Sequence, residues 1–306
     1  MVYQLINYSL VRSDEMNTGR RAIKTGLTLM AMGIFLICTG CGERQTLPSS
    51  TINVGGIDRE YNLFVPNNPP EGPMPLLVAI HGGGGQGEAF PQQAQFEALA
   101  ESQGIILAFP QAHLMPNNEG EWQLNTRPES RHDLDYIEAM IDDISSRHQV
   151  DATRVYATGY SLGSMFTYDL ACHLSARFAA IASFAGTMPV TMHSCDQAHK
   201  VPIMHIHGVE DGIISYTDSW DWKEWDSVGA MLDIPGLMQF WSEKYNCVDE
   251  TQVASDSSTH FVHSGCDDGT RFEHHRLNGV GHGWPDAIDS VSTHEVIWTF
   301  LSEFSR

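Results

Sequence analysis

The sequence predicts an α/β fold whose mostly parallel central sheet is covered by helices on both faces. Three observations point there. Short runs such as PLLVAIH, GIILAFP, FAAIASFAG and VPIMHIHG are apolar without alternation, as strands buried on both faces must be. Stretches with helical spacing, such as HDLDYIEAMIDDISSRH, separate these runs, so strands and helices alternate along the chain. Several apolar runs end directly in glycine-rich turns. In sheets of this kind, active groups collect at the carboxyl ends of the strands.

The first 41 residues are read as a leader rather than as part of the fold. Arg20, Arg21 and Lys24 form a basic head, TGLTLMAMGIFLICTG an apolar core, and Thr39-Gly40-Cys41 a lipobox-like end at which Cys41 would be lipidated. Cys38 stands where that pattern prefers leucine, which leaves plain secretion as the other reading. The apolar run is too short for a convincing membrane span. Met16, just before the basic head, is the more natural start. The expectation is an exported protein, either a bacterial cell-envelope lipoprotein (periplasmic or surface-held) or secreted, that meets a membrane only through that anchor. Residues 42–50 are read as a polar tether, and 51–306 as one catalytic domain.

Within the domain, TINVGGIDREYNLFVP alternates on either side of Gly55-Gly56 and reads as a hairpin. PLLVAIHGGGG is a buried strand ending in glycines, QQAQFEALAESQG a helix with a glycine stop, and GIILAFPQ a strand. RHDLDYIEAMIDDISSRH is an amphipathic helix, RVYATG a strand, SLGSMFTYDLACHL a helix, and FAAIASFAG and VPIMHIHG two strands. IPGLMQFWSEKYNC is a helix, THFVHSG and TRFEHHRLN are a hairpin or two edge strands, and STHEVIWTFLSEF is the closing helix.

Composition narrows the partners. A net charge of −21 over 306 residues argues against nucleic acid and against a polyanionic substrate. Past the leader, four of the six cysteines remain, Cys172, Cys195, Cys247 and Cys266. An even count in an exported chain suggests disulfides, and three pairings are open. No Cys-x-x-Cys or paired Cys/His spacing is present, so no metal site is expected.

The chemistry centres on GYSLG, residues 159–163, which joins a strand to a helix. That context is what a nucleophile elbow needs, because a sharp turn with glycines at the close approaches projects the serine above the sheet. The plain alternative is that Ser161 caps the helix. A serine hydroxyl is a poor nucleophile without a base, and the base needs an orienting acid. In this fold class the acid follows a late strand and the histidine comes last. VPIMHIHGVEDG offers Asp211 before a glycine, with Glu210 as runner-up, and NGVGHGWPD offers His282. Among 15 histidines, His282 is the only late one in a glycine-rich loop. His205, His207, His274 and His275 read as strand residues, with His207 able to support the acid turn. Oxyanion donors are expected from Leu162 N–H and from the loop His81-Gly82-Gly83-Gly84-Gly85, with Gly83 first and Gly84 second. A phosphate loop fails because no Gly-Lys-Ser/Thr follows. Trp122, Trp284, Tyr160 and Trp222 are the expected substrate contacts. Trp222 lies in the aromatic and acidic segment SYTDSWDWKEWDS, for which local packing is the alternative. This chemistry needs no cofactor.

With HGGGG, GYSLG, HGVEDG and GHGWP in this order, the chain resembles the secreted polyhydroxybutyrate-depolymerase and feruloyl-esterase branch of the α/β-hydrolases. GGIDREYNLFVP is similar to that family's entry hairpin, and HDLDYIEAMIDDISSRHQVDATRVYATGYSLGSM to its helix-to-elbow segment. CVDE and GHGWP flank the late hairpin in the same way. The resemblance covers roughly residues 51–305. It implies an α/β-hydrolase fold and carboxylic ester hydrolysis by Ser161, His282 and Asp211 through an acyl-enzyme. The implied substrates are feruloyl or acetyl esters of polysaccharide, or short hydroxyalkanoate esters. It also implies the sequential pairing Cys172–Cys195 and Cys247–Cys266. The chain departs from the family at Ser164, where a second glycine is common, at Gly83, and in the tryptophan-rich segment; these bear on the substrate more than on the chemistry. A serine peptidase of the same fold and a non-catalytic surface-binding lipoprotein are the rival readings. The first has no room here for a large gating domain, and the second has no use for a full triad.

Overall fold

A computed structural model describes residues 46–114, 120–221 and 229–306. The leader, with Met16 and Cys41, lies outside the described residues, as does Trp222. Ten strands form one sheet: β1 (Ser49–Val54), β2 (Ile57–Phe64), β3 (Met74–Ile80), β4 (Ile106–Pro110), β5 (Val150–Tyr160), β6 (Ala180–Phe184), β7 (Ile203–Gly208), β8 (Asp249–Ala254), β9 (Ser258–Ser264) and β10 (Phe272–Leu277). Their order across the sheet is β1-β2-β4-β3-β5-β6-β7-β10-β9-β8. The run from β4 to β10 is parallel, and antiparallel strands close both margins. Residues 49 and 50, expected in the tether, are therefore the first two residues of β1.

Alternation along β3 divides the interior. Leu76, Val78 and Ile80 point to one face, and Leu77 and Ala79 to the other. The first face is covered by α3 (His132–Arg147), α4 (Leu162–His173) and α5 (Ile234–Lys244). The second is covered by α1 (Phe90–Ala94), α2 (Glu97–Gln103) and α6 (Thr293–Leu301). Two buried faces explain why the central strands read as continuous apolar runs. No helix among the described residues is long and apolar enough to cross a membrane.

Two expectations need correction. QQAQFEALAESQG is not one helix but two, broken at Gln95, which is left-handed with φ 55°. The break lets both Phe90 and Phe96 reach the core. THFVHSG and TRFEHHRLN do form a hairpin, but β10 is interior, paired in parallel with β7. The edge is β8, whose residues DETQVA are all exposed, so no buried face marks it in the sequence.

The entry hairpin is tied down by a buried ion pair. Arg59 donates to Asp133 at 2.7 Å and lies over the Tyr136 ring, 4.0 Å from its centroid. The second Asp133 oxygen accepts from the Gln123 N–H, so both charges are satisfied, as burial requires. Disulfides join Cys172 to Cys195 and Cys247 to Cys266, the sequential pairing.

Candidate active site

Ser161 stands between β5 and α4 with φ 53° and ψ −119°, a backbone region that costs a non-glycine residue about 1–3 kcal/mol. The glycines on either side make this turn possible. A Cβ on Gly159 would lie 2.3 Å from the Gly163 carbonyl oxygen, and one on Gly163 would lie 2.3 Å from that of His81. The Ser161 side chain makes no helix-cap hydrogen bond, which removes the capping reading. Its hydroxyl instead lies 2.8 Å from His282 Nε2.

His282 comes from the loop between β10 and α6. Its Nδ1–H donates to Asp211 Oδ2 at 2.7 Å, which leaves Nε2 as the acceptor for the serine proton. The Tyr160 hydroxyl donates to the His282 carbonyl and fixes the loop. Asp211 is buried in the turn after β7, where its Oδ1 accepts from the N–H groups of Ile213 and Ile214, both at 2.8 Å. Burial pushes the Asp211 carboxyl up, but hydrogen bonds from His207, His282, Ile214 and Ile213 outweigh it and hold the group well below the usual carboxylate range. Glu210 is exposed, so of the two acids weighed only Asp211 meets the histidine.

Behind the acid turn runs a buried polar chain. His207 Nε2 lies 2.9 Å from the Ile214 carbonyl and 3.3 Å from Asp211 Oδ2. Its Nδ1 lies 3.2 Å from His205 Nε2, and His205 Nδ1 lies 2.7 Å from the Tyr168 hydroxyl. One assignment of protons satisfies the whole chain: Tyr168 donates to His205, His205 to His207, and His207 to the turn. Burial, reinforced by the neighbouring His207 and His274, drives the His205 imidazole well below its usual range, so it stays neutral. Ser164, at the position where the resembled family often has glycine, hydrogen-bonds Ser183. Ser183 in turn lies 3.3 Å from His205 Nδ1, so the departure at Ser164 feeds the same network.

The glycine-rich loop closes over the elbow. Gly85 N–H donates to the Gly82 carbonyl at 3.1 Å, making a tight turn with Gly84 left-handed at φ 66°, as a type II turn demands. A Cβ on Gly82 would lie 3.2 Å from the Ser161 Cβ, and one on Gly83 3.4 Å from the Leu162 side chain. Leu162 opens α4, so its N–H has no intrahelical acceptor. His81 anchors the loop: Nδ1–H donates to the Gly82 carbonyl at 2.7 Å, and Nε2 accepts from the Ala112 N–H at 3.1 Å. Burial lowers its pKa to about 4, consistent with a neutral ring.

The aromatic residues divide. Trp284 and Tyr160 are half-buried and pack edge-on against each other, with the Tyr160 ring 5.4 Å from that of His282. Trp122 does not line the cleft. It is 1% exposed, stacks on Phe166 at 5.0 Å, and donates its indole N–H to the His81 carbonyl at 2.9 Å. It supports the glycine loop from within the core, and a strand-end position alone could not distinguish that from a cleft wall. Sequence reasoning placed His81 in the glycine loop without a role for its ring and missed Tyr168; only the residue types, histidine before glycines and tyrosine on the elbow helix, hinted at those roles.

Known proteins resemble this chain in sequence and in fold. The profile of the Dienelactone hydrolase family matches residues 118–224. A bifunctional acetylxylan esterase/xylanase of Neocallimastix patriciarum is 23% identical over 257 residues, covering 82% of this chain and 34% of its own length. Feruloyl esterase B of Piromyces equi is 23% identical over 234 residues, covering 76% of this chain and 42% of its own. Feruloyl esterase C of Emericella nidulans is 28% identical over 200 residues, covering 61% and 68%. The chain thus spans less than half the length of the first two. Among solved structures, an acetyl xylan esterase from Aspergillus awamori superposes with a TM-score of 0.62 at 16% identity, covering 83% of this chain and 99% of that one. Strand order and the superposition give the chain the α/β-hydrolase fold, and in sequence it is similar to feruloyl and acetylxylan esterases.

Proposed function

We propose that this protein is a serine carboxylic ester hydrolase. The observation that carries the reading is the continuous hydrogen-bonded line from Ser161 through His282 to Asp211 at a strained elbow. Ser161 Oγ attacks the ester carbonyl while His282 Nε2 takes its proton, and Asp211 stabilises the imidazolium that forms. The Leu162 N–H and a glycine-loop N–H, from Gly83 or else Gly84, receive the oxyanion; each such donor is worth about 3 kcal/mol in the transition state. His282 returns the proton to the leaving alcohol. Water, deprotonated by the same nitrogen, then releases the acid from the acyl-enzyme and restores the Ser161 hydroxyl.

The substrates that fit this reading are feruloyl or acetyl esters on polysaccharide, supported by the relatives' names, or short hydroxyalkanoate esters. Trp284 and Tyr160 supply the aromatic wall beside His282. The basic head, apolar core and Cys41 of the leader support export with a lipid anchor. The test is hydrolysis of para-nitrophenyl acetate and butyrate, methyl ferulate and a hydroxybutyrate oligomer by wild type and Ser161→Ala in parallel. Activity that disappears in the variant supports the reading, and the preferred ester names the substrate class. Equal inertness of both proteins on all four would end it.

A further inference from the structure

Strands β9 and β10 pair so that His260 faces His275 and Val262 faces Glu273. Alternation puts Glu273 and His275 on one face of β10, and cross-strand pairing sets His260 beside them. The two imidazoles lie face to face, with ring centroids 4.0 Å apart and planes 9° apart. His260 Nε2 is 2.8 Å from Glu273 Oε2. One nitrogen or oxygen from each of the three residues lies within 4.8 Å of the other two. His275 is 8% exposed, yet neither of its ring nitrogens has a hydrogen-bond partner. A buried imidazole left bare on both sides has given up its water with nothing in return. We propose that His260, Glu273 and His275 form a binding site for a divalent transition-metal ion of the Zn²⁺ type, with water completing the coordination shell.

The donor set selects the ion. Two imidazoles and one carboxylate suit Zn²⁺ and its neighbours, whereas Ca²⁺ and Mg²⁺ require mostly oxygen ligands. Tetrahedral Zn²⁺ needs its ligand atoms about 3.3 Å apart with their lone pairs converging on the ion, so the stacked His260 and His275 rings must turn out of parallel to close the site. Burial, with His260 as a further cause, lowers the His275 pKa to about 4, which keeps that ring neutral and its lone pair free at neutral pH. The Arg271 Nε lies 2.5 Å from Glu273 Oε1, which fixes the carboxylate and leaves Oε2 turned toward His260. That is the outer support a metal-binding carboxylate ordinarily has. The ion would clamp β9 to β10, the strand that leads into the His282 loop, and takes no part in the ester chemistry.

The test uses the full chain without a histidine tag, freed of metal by chelation. Titration with Zn²⁺ by calorimetry, with Co²⁺ absorption as an independent probe, should give one ion per chain and a higher Tm. His260→Ala and Glu273→Gln should each lose affinity by at least about tenfold. His260 is one-third exposed, so its removal leaves the fold standing, which a metal-free melting curve verifies. Wild-type affinity in both variants, or no saturable uptake by wild type at millimolar Zn²⁺, would overturn the proposal.

Discussion

His282 and His207 both reach Oδ2 of Asp211, at 2.7 and 3.3 Å, yet their surroundings give them different capacities. His282 rides a loop, is partly open to the cleft, and presents a free Nε2 lone pair to Ser161. His207 is a strand residue with no exposed side-chain surface, and both its nitrogens are engaged by the fold. The same side chain beside the same carboxylate can exchange a proton with a substrate in one place and only hold a turn in the other. Exposure and a vacant nitrogen, not proximity to the acid, separate the two.

The sharpest way to break this comparison is to remove what only His282 serves. Ser161→Ala should lower kcat by about 10⁵- to 10⁶-fold while leaving the melting temperature near wild type, read from ester hydrolysis and a thermal melt. Asp211→Asn removes the shared partner and should cost about 10⁴-fold in kcat, because the His282 tautomer is then no longer fixed. His207→Phe keeps the ring volume but cuts the line of donors. If His207 acts by positioning, kcat should fall on the order of tenfold to a hundredfold, and the effect should shrink in the Asp211→Asn background. Equal effects in both backgrounds would show that His207 is structural alone.

Stability against pH sharpens the contrast further. His81, His274 and His275 have pKa values lowered by burial to about 4, about 3 and about 4, and His205 is lowered as well. Between those values and 6.5 only the unfolded chain takes up these protons. The stability they represent is therefore present above pH 6.5 and lost as pH falls toward 4. Asp211, with a depressed pKa, adds a loss only at lower pH still, below the ordinary carboxylate value. Melting temperature should thus start to fall near pH 6.5, offset in part by Asp169, whose carboxyl burial raises to about 7, and a flat profile down to pH 5 would contradict the buried neutral histidines. The smallest expected change in activity lies at a disulfide. Opening Cys247–Cys266 by double substitution to serine should cost about 3 kcal/mol, measured by urea unfolding, with little change in KM.

Much of the site was legible because its constraints are local. GYSLG and HGGGG each carry their own backbone requirement, GHGWP is marked by its place in a late loop, and the order serine, acid, histidine follows from strands that read as uninterrupted apolar runs. Trp122 was misplaced because a residue after a strand end can face the cleft or the core, and only the position of Phe166 and the His81 carbonyl settles which. β8 was missed because an edge strand with no buried side chains has no periodicity to read. The choice between Glu210 and Asp211, adjacent in sequence, depended on which carboxylate the turn directs inward.

The sequence by itself determined the fold class and the elbow, since those rest on hydrophobic pattern and on Gly159 and Gly163, where a side chain would strike the backbone, and it singled out Ser161 and His282 as candidates from their place in that pattern. Only the tertiary structure decided the cysteine pairing, the His205–His207 line behind the acid, and the grouping of His260 with Glu273 and His275. Each of these joins different elements or alternate residues of a strand through pairing register, and register is set by the packing of whole elements rather than by any local run of residues.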